Sequence, residues 1–202
     1  MDLFASEEQQ PIPLELPDAD IVYYPRFFKQ AKSDAYFQKL HDEIEWRQDD
    51  VTVFGKKYPQ PRLTALYGNN DKTYTYSGLT LSPLPFTQPL KQIKEKIETT
   101  TQSSFSTVLL NLYRDGADSN GWHSDDEKEL GQNPVIASVS FGTERIFHFR
   151  HKKDKSLKHK IVLEHGSLLL MKGTTQHYWQ HQLPKSKRVT SPRINLTFRW
   201  LV

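Results

Sequence analysis

Phe105-Ser-Thr-Val-Leu-Leu-Asn-Leu-Tyr113 reads as a strand, and the pattern that follows it decides the fold. From Phe105 onward the chain breaks into strand-like segments at 105–113, 135–141, 145–150, 159–164, 167–171 and 193–200, separated by turns. No helical period lies between them. Upstream the pattern is different. Ser33 is placed to cap a helix running to about Trp46, with Phe37, Leu40 and Ile44 on one face and Tyr36 beside them. Pro89 suits the first turn of a second helix, whose buried stripe is Leu90, Ile93 and Ile97. Between these helices, residues 51–86 are rich in Thr, Tyr, Gly and Pro and read as short strands and turns. Helices first and antiparallel strands later predict an α+β fold, with helices backing a β-sandwich or jelly roll.

The 202 residues suffice for one domain with a sizeable core, and no linker divides them. No apolar run approaches the length of a membrane helix; Ser167-Leu-Leu-Leu-Met171 is too short. The N-terminus lacks the basic-then-apolar pattern of a signal peptide, so a cytoplasmic enzyme is the expectation, or a nuclear one in a eukaryote. The absence of cysteine excludes disulfides and thiolate ligands. The net charge of +3 conceals an asymmetry. Residues 1–20 carry six acids and no Lys or Arg, and the remainder holds 27 basic against 18 acidic residues. That excess suits a polyanionic partner, although ordinary solubility charge explains it as simply.

His123-Ser124-Asp125 sets a histidine and a carboxylate two residues apart. On an extended segment both side chains face one way and reach one cation. A third ligand must come from elsewhere, and His177 and His181 are the candidates. Two histidines and a carboxylate form the facial triad of non-heme iron oxygenases, which leaves positions open for a bidentate co-substrate and O₂. Zinc competes for the same ligands. An H-x-D is common, and alone it reads more readily as a polar turn.

Arg193-Ile-Asn-Leu-Thr-Phe-Arg199 adds independent weight. On a strand Arg193, Asn195, Thr197 and Arg199 share one face, and Ile194, Leu196, Phe198 and Trp200 share the other. A half-solvated edge strand is the plainer reading. Two guanidiniums bracketing hydrogen-bonding groups nevertheless suit a dicarboxylic acid, because a guanidinium fork matches a carboxylate bidentately. Asn111 and Tyr113 share a strand face just upstream of the histidine motif and offer donors to the same ligand.

Asn111-Leu-Tyr-Arg-Asp-Gly116, Trp122-His-Ser-Asp-Asp-Glu127, Ala137-Ser-Val-Ser-Phe-Gly142, His181-Gln-Leu-Pro184 and Arg193–Arg199 together resemble the AlkB family of nucleic-acid dealkylases, from about Val51 to the end of the chain. The resemblance implies a double-stranded β-helix core with an N-terminal nucleotide-recognition lid. Residues 1–20, acidic and proline-containing, read as a loosely held arm of a single domain, followed by helices and lid over 21–104 and a catalytic core over 105–202. The resemblance implies that His123, Asp125 and His181 bind iron(II), His181 being preferred because Gln-Leu-Pro follows it. Arg193 and Arg199 would grip 2-oxoglutarate, supported by Asn111, Tyr113, Asn195 and Thr197. The implied reaction consumes O₂ and 2-oxoglutarate, oxidises an N-methyl group on a base and releases formaldehyde, succinate and CO₂.

The implied substrate contacts are Tyr76 stacking on a flipped base, Tyr74 beside it, Asp126 and Glu127 near the exocyclic nitrogen, and Arg62 in a backbone-contact segment. Phe54, in Val53-Phe54-Gly55, resembles an intercalating wedge. Two basic loops, Arg150 to Lys160 and Lys185 to Arg188, suit phosphates. The expected partner is alkylated DNA, single- or double-stranded, bound by a monomer. RNA and a non-catalytic lesion-binding role are the alternatives.

Overall fold

The computed structural model describes residues 10–53, 55–69, 74–76 and 79–202; of residues 52–53, 74–76 and 79–80 only the backbone is described. In chain order the N-terminal part holds β1 (Ile12–Pro13), β2 (Asp20–Tyr24), α1 (Gln30–Glu43), β3 (Asp50–Val53), β4 (Lys56–Pro59), β5 (Leu63–Gly68), β6 (Tyr74–Tyr76), β7 (Leu79–Leu81), β8 (Leu84–Pro85) and α2 (Gln88–Thr101). The rest holds β9 (Thr107–Tyr113), β10 (Asn120–His123), β11 (Ile136–Gly142), β12 (Arg145–His151), β13 (Lys158–Leu163), β14 (Ser167–Lys172), α3 (Thr175–Tyr178), β15 (Trp179–Leu183) and β16 (Arg193–Arg199).

Two sheets form the double-stranded β-helix. The larger runs β1-β2-β14-β11-β16-β9-β5-β8 and the smaller β10-β15-β12-β13. All pairings are antiparallel except β5 with β8. The hairpins β3–β4 and β6–β7 stand apart from both sheets.

The two faces of the large sheet have different tasks. One packs against the helices: Leu40, Leu90, Ile93 and Ile97 bury themselves against Val108, Leu110, Ile194, Leu196 and Phe198. Leu90, Ile93 and Ile97 are 0% exposed, which is the i, i+3, i+7 stripe read from the sequence. Pro89 lies in the first turn of α2, where its missing N–H costs nothing. α1 starts earlier than its sequence suggested. Ser33 is a buried interior residue that donates to the Phe28 carbonyl (3.2 Å) and caps nothing. The other face of the large sheet turns toward the small sheet, and the cavity described below lies between them.

Residues 10–20 are held more firmly than an acidic, proline-containing arm suggests. Ile12 pairs with Tyr23, Trp179 Nε1 donates to the Pro17 carbonyl (2.8 Å), and the Asp20 N–H donates to Thr175 Oγ1 (2.9 Å). Tertiary partners, not local propensity, fix this segment. Strands 2 and 5 also enter the large sheet, so residues 21–104 contribute to the same body as the core strands. Among the described residues, no helix is long and apolar enough to cross a membrane.

Candidate active site

β16 lies between β11 and β9, and every one of its residues is buried. Its polar face therefore points into protein, not water. The register sets Arg193 against Tyr113, Asn195 against Asn111 and Thr197 against Leu109 on one side, and Thr197 against Ser138 and Asn195 against Ser140 on the other. Strand alternation thus gathers these polar groups into one floor. Asn195 Nδ2 donates to Ser138 Oγ (2.8 Å) and the Val139 carbonyl (3.1 Å), and Thr197 donates to Asn195 Oδ1 (3.0 Å). Ser138 and Ser140 escaped the reading of the sequence. Their signal was two serines at i and i+2 within an otherwise apolar buried strand.

The roof comes from the small sheet. His123 pairs with His181 across β10 and β15, which brings their Nε2 atoms to 3.1 Å. The strand ends at His123, and Asp125 lies in the bend beyond it. Its Oδ2 is 4.0 Å from His181 Nε2. Ligand atoms of His123, Asp125 and His181 all lie within 4.8 Å of one another, the single such cluster among the described residues. A cation with ligand bonds of about 2.1 Å fits between such atoms after a small adjustment. The Gly121 carbonyl accepts from His123 Nδ1 (2.8 Å), which leaves Nε2 as the ligating atom. His177, the other candidate, is exposed on α3.

The protonation states also suit a metal. Burial works to raise the Asp125 pKa, but the Arg199 guanidinium, then His181 and His123, override it and bring it to about 2. Burial, then the charge of His123, lowers His181 to about 3. Burial likewise lowers His123. At neutral pH the set is two neutral imidazoles and one carboxylate, the state that binds a cation. Phe147 stacks on His181 (5.2 Å between centroids) and covers it from one side.

Arg193 and Arg199 line this cavity with Asn111, Tyr113, Asn195 and Thr197. Their partners differ. Arg199 Nη2 donates to Asp125 Oδ1 (2.7 Å), so this arginine holds the carboxylate of the triad. Arg193 is 2% exposed, donates to Ser140 Oγ (2.9 Å) and lies 5.4 Å from the Tyr113 ring centre. Its Nε has no hydrogen-bond partner, and no carboxylate among the described residues pairs with it. Burial lowers its pKa to about 10, so it stays cationic at neutral pH. A buried cation without an anion is costly unless a ligand supplies the anion. The donor set therefore fits iron(II) with a dicarboxylate.

The expected substrate contacts separate. Glu127 lines the cavity. Asp126 does not; it is exposed and paired with Lys152 (2.9 Å). Arg62 lies inside the cavity, 5% exposed, and donates to Asn111 Oδ1 (2.8 Å). Phe54 and the side chains of Tyr74 and Tyr76 lie outside the described residues.

Residues 20–199 match the family described as the 2OG-Fe(II) oxygenase superfamily. The human DNA oxidative demethylase ALKBH2 is 45% identical over 186 residues, covering 87% of this chain and 71% of that protein. The human alpha-ketoglutarate-dependent dioxygenase alkB homolog 3 is 42% identical over 193 residues, covering 89% of this chain and 65% of that protein. The chain belongs to the AlkB family of 2OG-Fe(II) oxygenases. The solved structure of OsALKBH1 superposes with a TM-score of 0.66 at 18% identity, over 95% of this chain and 100% of that one, which supports the shared fold. As an AlkB-family member the chain is an iron(II)- and 2-oxoglutarate-dependent dioxygenase.

Proposed function

We propose that this dioxygenase removes N-alkyl groups from DNA bases of the 1-methyladenine and 3-methylcytosine type. The observation that carries the co-substrate half is Arg193, a buried guanidinium without a carboxylate partner, on the same cavity as the His123, Asp125 and His181 cluster. The substrate half rests on likeness to relatives named as DNA oxidative demethylases.

When bound, iron(II) with 2-oxoglutarate and O₂ supplies the oxidising power for an N-methyl group, with succinate, CO₂ and formaldehyde as products. The chain's own residues do the rest. His123, Asp125 and His181 would hold the metal, a two-histidine, one-carboxylate set that leaves coordination positions for the co-substrate and O₂. Arg193, on the cavity floor, would anchor a carboxylate of the co-substrate. Arg199 keeps Asp125 ionised and engages its Oδ1, so Oδ2 would be the oxygen free to hold the metal. Phe147, Leu109 and Met171 give the cavity apolar walls that limit water. Methylation at N1 of adenine or N3 of cytosine makes the base cationic. The Glu127 carboxylate on the cavity favours such a base over a neutral one. Tyr76, Tyr74 and Phe54 are assigned to base stacking and strand separation on the family likeness.

The test is release of formaldehyde and succinate from methylated single-stranded DNA, duplex DNA and RNA at one salt concentration. The expected result is turnover on methylated DNA and none on unmethylated DNA. Turnover on RNA with none on DNA would overturn the reading, as would 2-oxoglutarate consumption unaffected by any methylated strand.

A further inference from the structure

The segment that carries Asp125 lies beyond the end of β10 and has no strand neighbour, yet it is tightly bound. Three consecutive residues are tied to one place. Ser124 Oγ donates to the Trp179 carbonyl (3.1 Å). The Asp125 N–H donates to Gln176 Oε1 (2.9 Å). Asp126 meets Lys152 Nζ (2.9 Å), which also donates to the Gln176 carbonyl (2.8 Å).

Gln176 stands out among these partners because it is 1% exposed and bonds a residue that is 3% exposed. A buried backbone N–H outside a ladder must find an acceptor within the protein. Gln176 supplies that acceptor from α3, the helix immediately preceding the strand that carries His181. Its other end fixes the amide orientation: Nε2 donates to Met171 Sδ (3.5 Å), a weak acceptor on the cavity wall. Flipping the amide would set an NH₂ group against the Asp125 N–H. The N-terminal arm backs α3 and the start of β15 in turn, through Asp20 on Thr175 and Pro17 on Trp179.

We infer that Gln176 is the positioning residue for the carboxylate metal ligand. It fixes the backbone of Asp125 relative to His181, so that Oδ1 meets Arg199 and Oδ2 faces the His181 imidazole. Groups that orient ligands in this way matter to metal affinity by about 10–100-fold. The inference rests on His123, Asp125 and His181 being the ligands, and the experiment keeps the two apart.

Co(II) is titrated into metal-free protein and followed by its d–d absorption. A His181→Ala variant that binds Co(II) like the parent would show that the ligand assignment has failed. With that assignment intact, Gln176→Met, similar in length but without an oxygen, should weaken Co(II) binding about 10–100-fold and alter the d–d band. Gln176→Glu keeps the acceptor oxygen and should bind within about threefold of the parent, a margin below the smallest effect expected of a lost orienting group. Parent-like affinity and spectrum in Gln176→Met would overturn the inference. An equal loss in both variants would overturn it too, because it would show a packing role. Amide exchange in the metal-free parent tests the same bond without substitution: the Asp125 N–H should exchange slowly although it lies outside the sheets, and rapid exchange would refute its capture by Gln176.

Discussion

Burying a guanidinium as completely as that of Arg193 costs several kcal/mol unless an anion meets it. Here the protein offers the Ser140 and Tyr113 hydroxyls and the Tyr113 ring, no carboxylate, and leaves Nε without a partner. A charge-assisted hydrogen bond contributes about 1.5–3 kcal/mol, which corresponds to about 10–100-fold in affinity. Arg193→Ala should therefore raise the 2-oxoglutarate concentration for half-maximal turnover at least tenfold, on the order of one such bond. Unchanged co-substrate dependence would refute the assignment. The proposed metal ligands give a sharper contrast. His123→Ala, Asp125→Ala and His181→Ala should each abolish Co(II) binding, whereas His177→Ala should leave it intact because that ring is exposed on α3. Loss of binding in the His177 variant with retention in the His181 variant would reverse the ligand choice.

Among the elements, α2 shows how much stability the helical layer contributes. Ile93 is fully buried between α2 and the large sheet. Ile93→Ala should lower the unfolding free energy by about 2–5 kcal/mol, read as a lower urea midpoint at unchanged slope. A smaller loss would mean that the helix closes over the gap. The β3–β4 hairpin makes a functional contrast. It stands outside both sheets, pairs Val53 with Lys56, and has Gly55 at φ 75°, a conformation that glycine adopts freely. In duplex DNA a target base must leave the stack at a cost of a few kcal/mol. As the proposed wedge that fills the vacated space, Phe54 should matter most there: Phe54→Ala should reduce turnover on methylated duplex far more than on single strands at one salt concentration. Equal loss on both would indicate a general folding or pocket effect.

For the whole molecule, the buried ligand cluster links stability to pH. His181 is held at about 3 and His123 is also lowered, both by burial first, against about 6.5 for an unfolded histidine. Between those values the unfolded chain binds protons that the folded one does not, so folding weakens as pH falls from about 6.5 toward 3. Asp125, held at about 2, continues the loss below about 3.9. The metal-free protein should therefore show a falling urea midpoint from pH 7 to pH 4.5, and His181→Gln should flatten that slope. A slope unchanged by the substitution would mean that other groups dominate. Metal affinity should decline in the same window, because protons compete for the same lone pairs.

The sequence by itself determined the local alternations. The Arg193–Arg199 repeat fixed which side chains share a face, the Leu90, Ile93 and Ile97 spacing fixed the buried stripe of α2, and the close set of His123 and Asp125 marked the ligand loop. Only the tertiary structure decided what each face meets. Period-two alternation is identical for an edge strand and for a central one, so the burial of β16 between β11 and β9 could not be read from it. The same holds for the closeness of His181 to His123, which depends on β15 pairing with β10 although the family resemblance had already preferred His181, and for the inward course of Arg62, the outward course of Asp126 and the anchoring of residues 10–20. β10 and β15 themselves carried no strand signal strong enough to find. Gln176 lay in a stretch with no periodic pattern, and its contact with Asp125 spans 51 residues. Local sequence fixes the direction of a side chain relative to its own backbone; the identity of its partner depends on how distant segments pack.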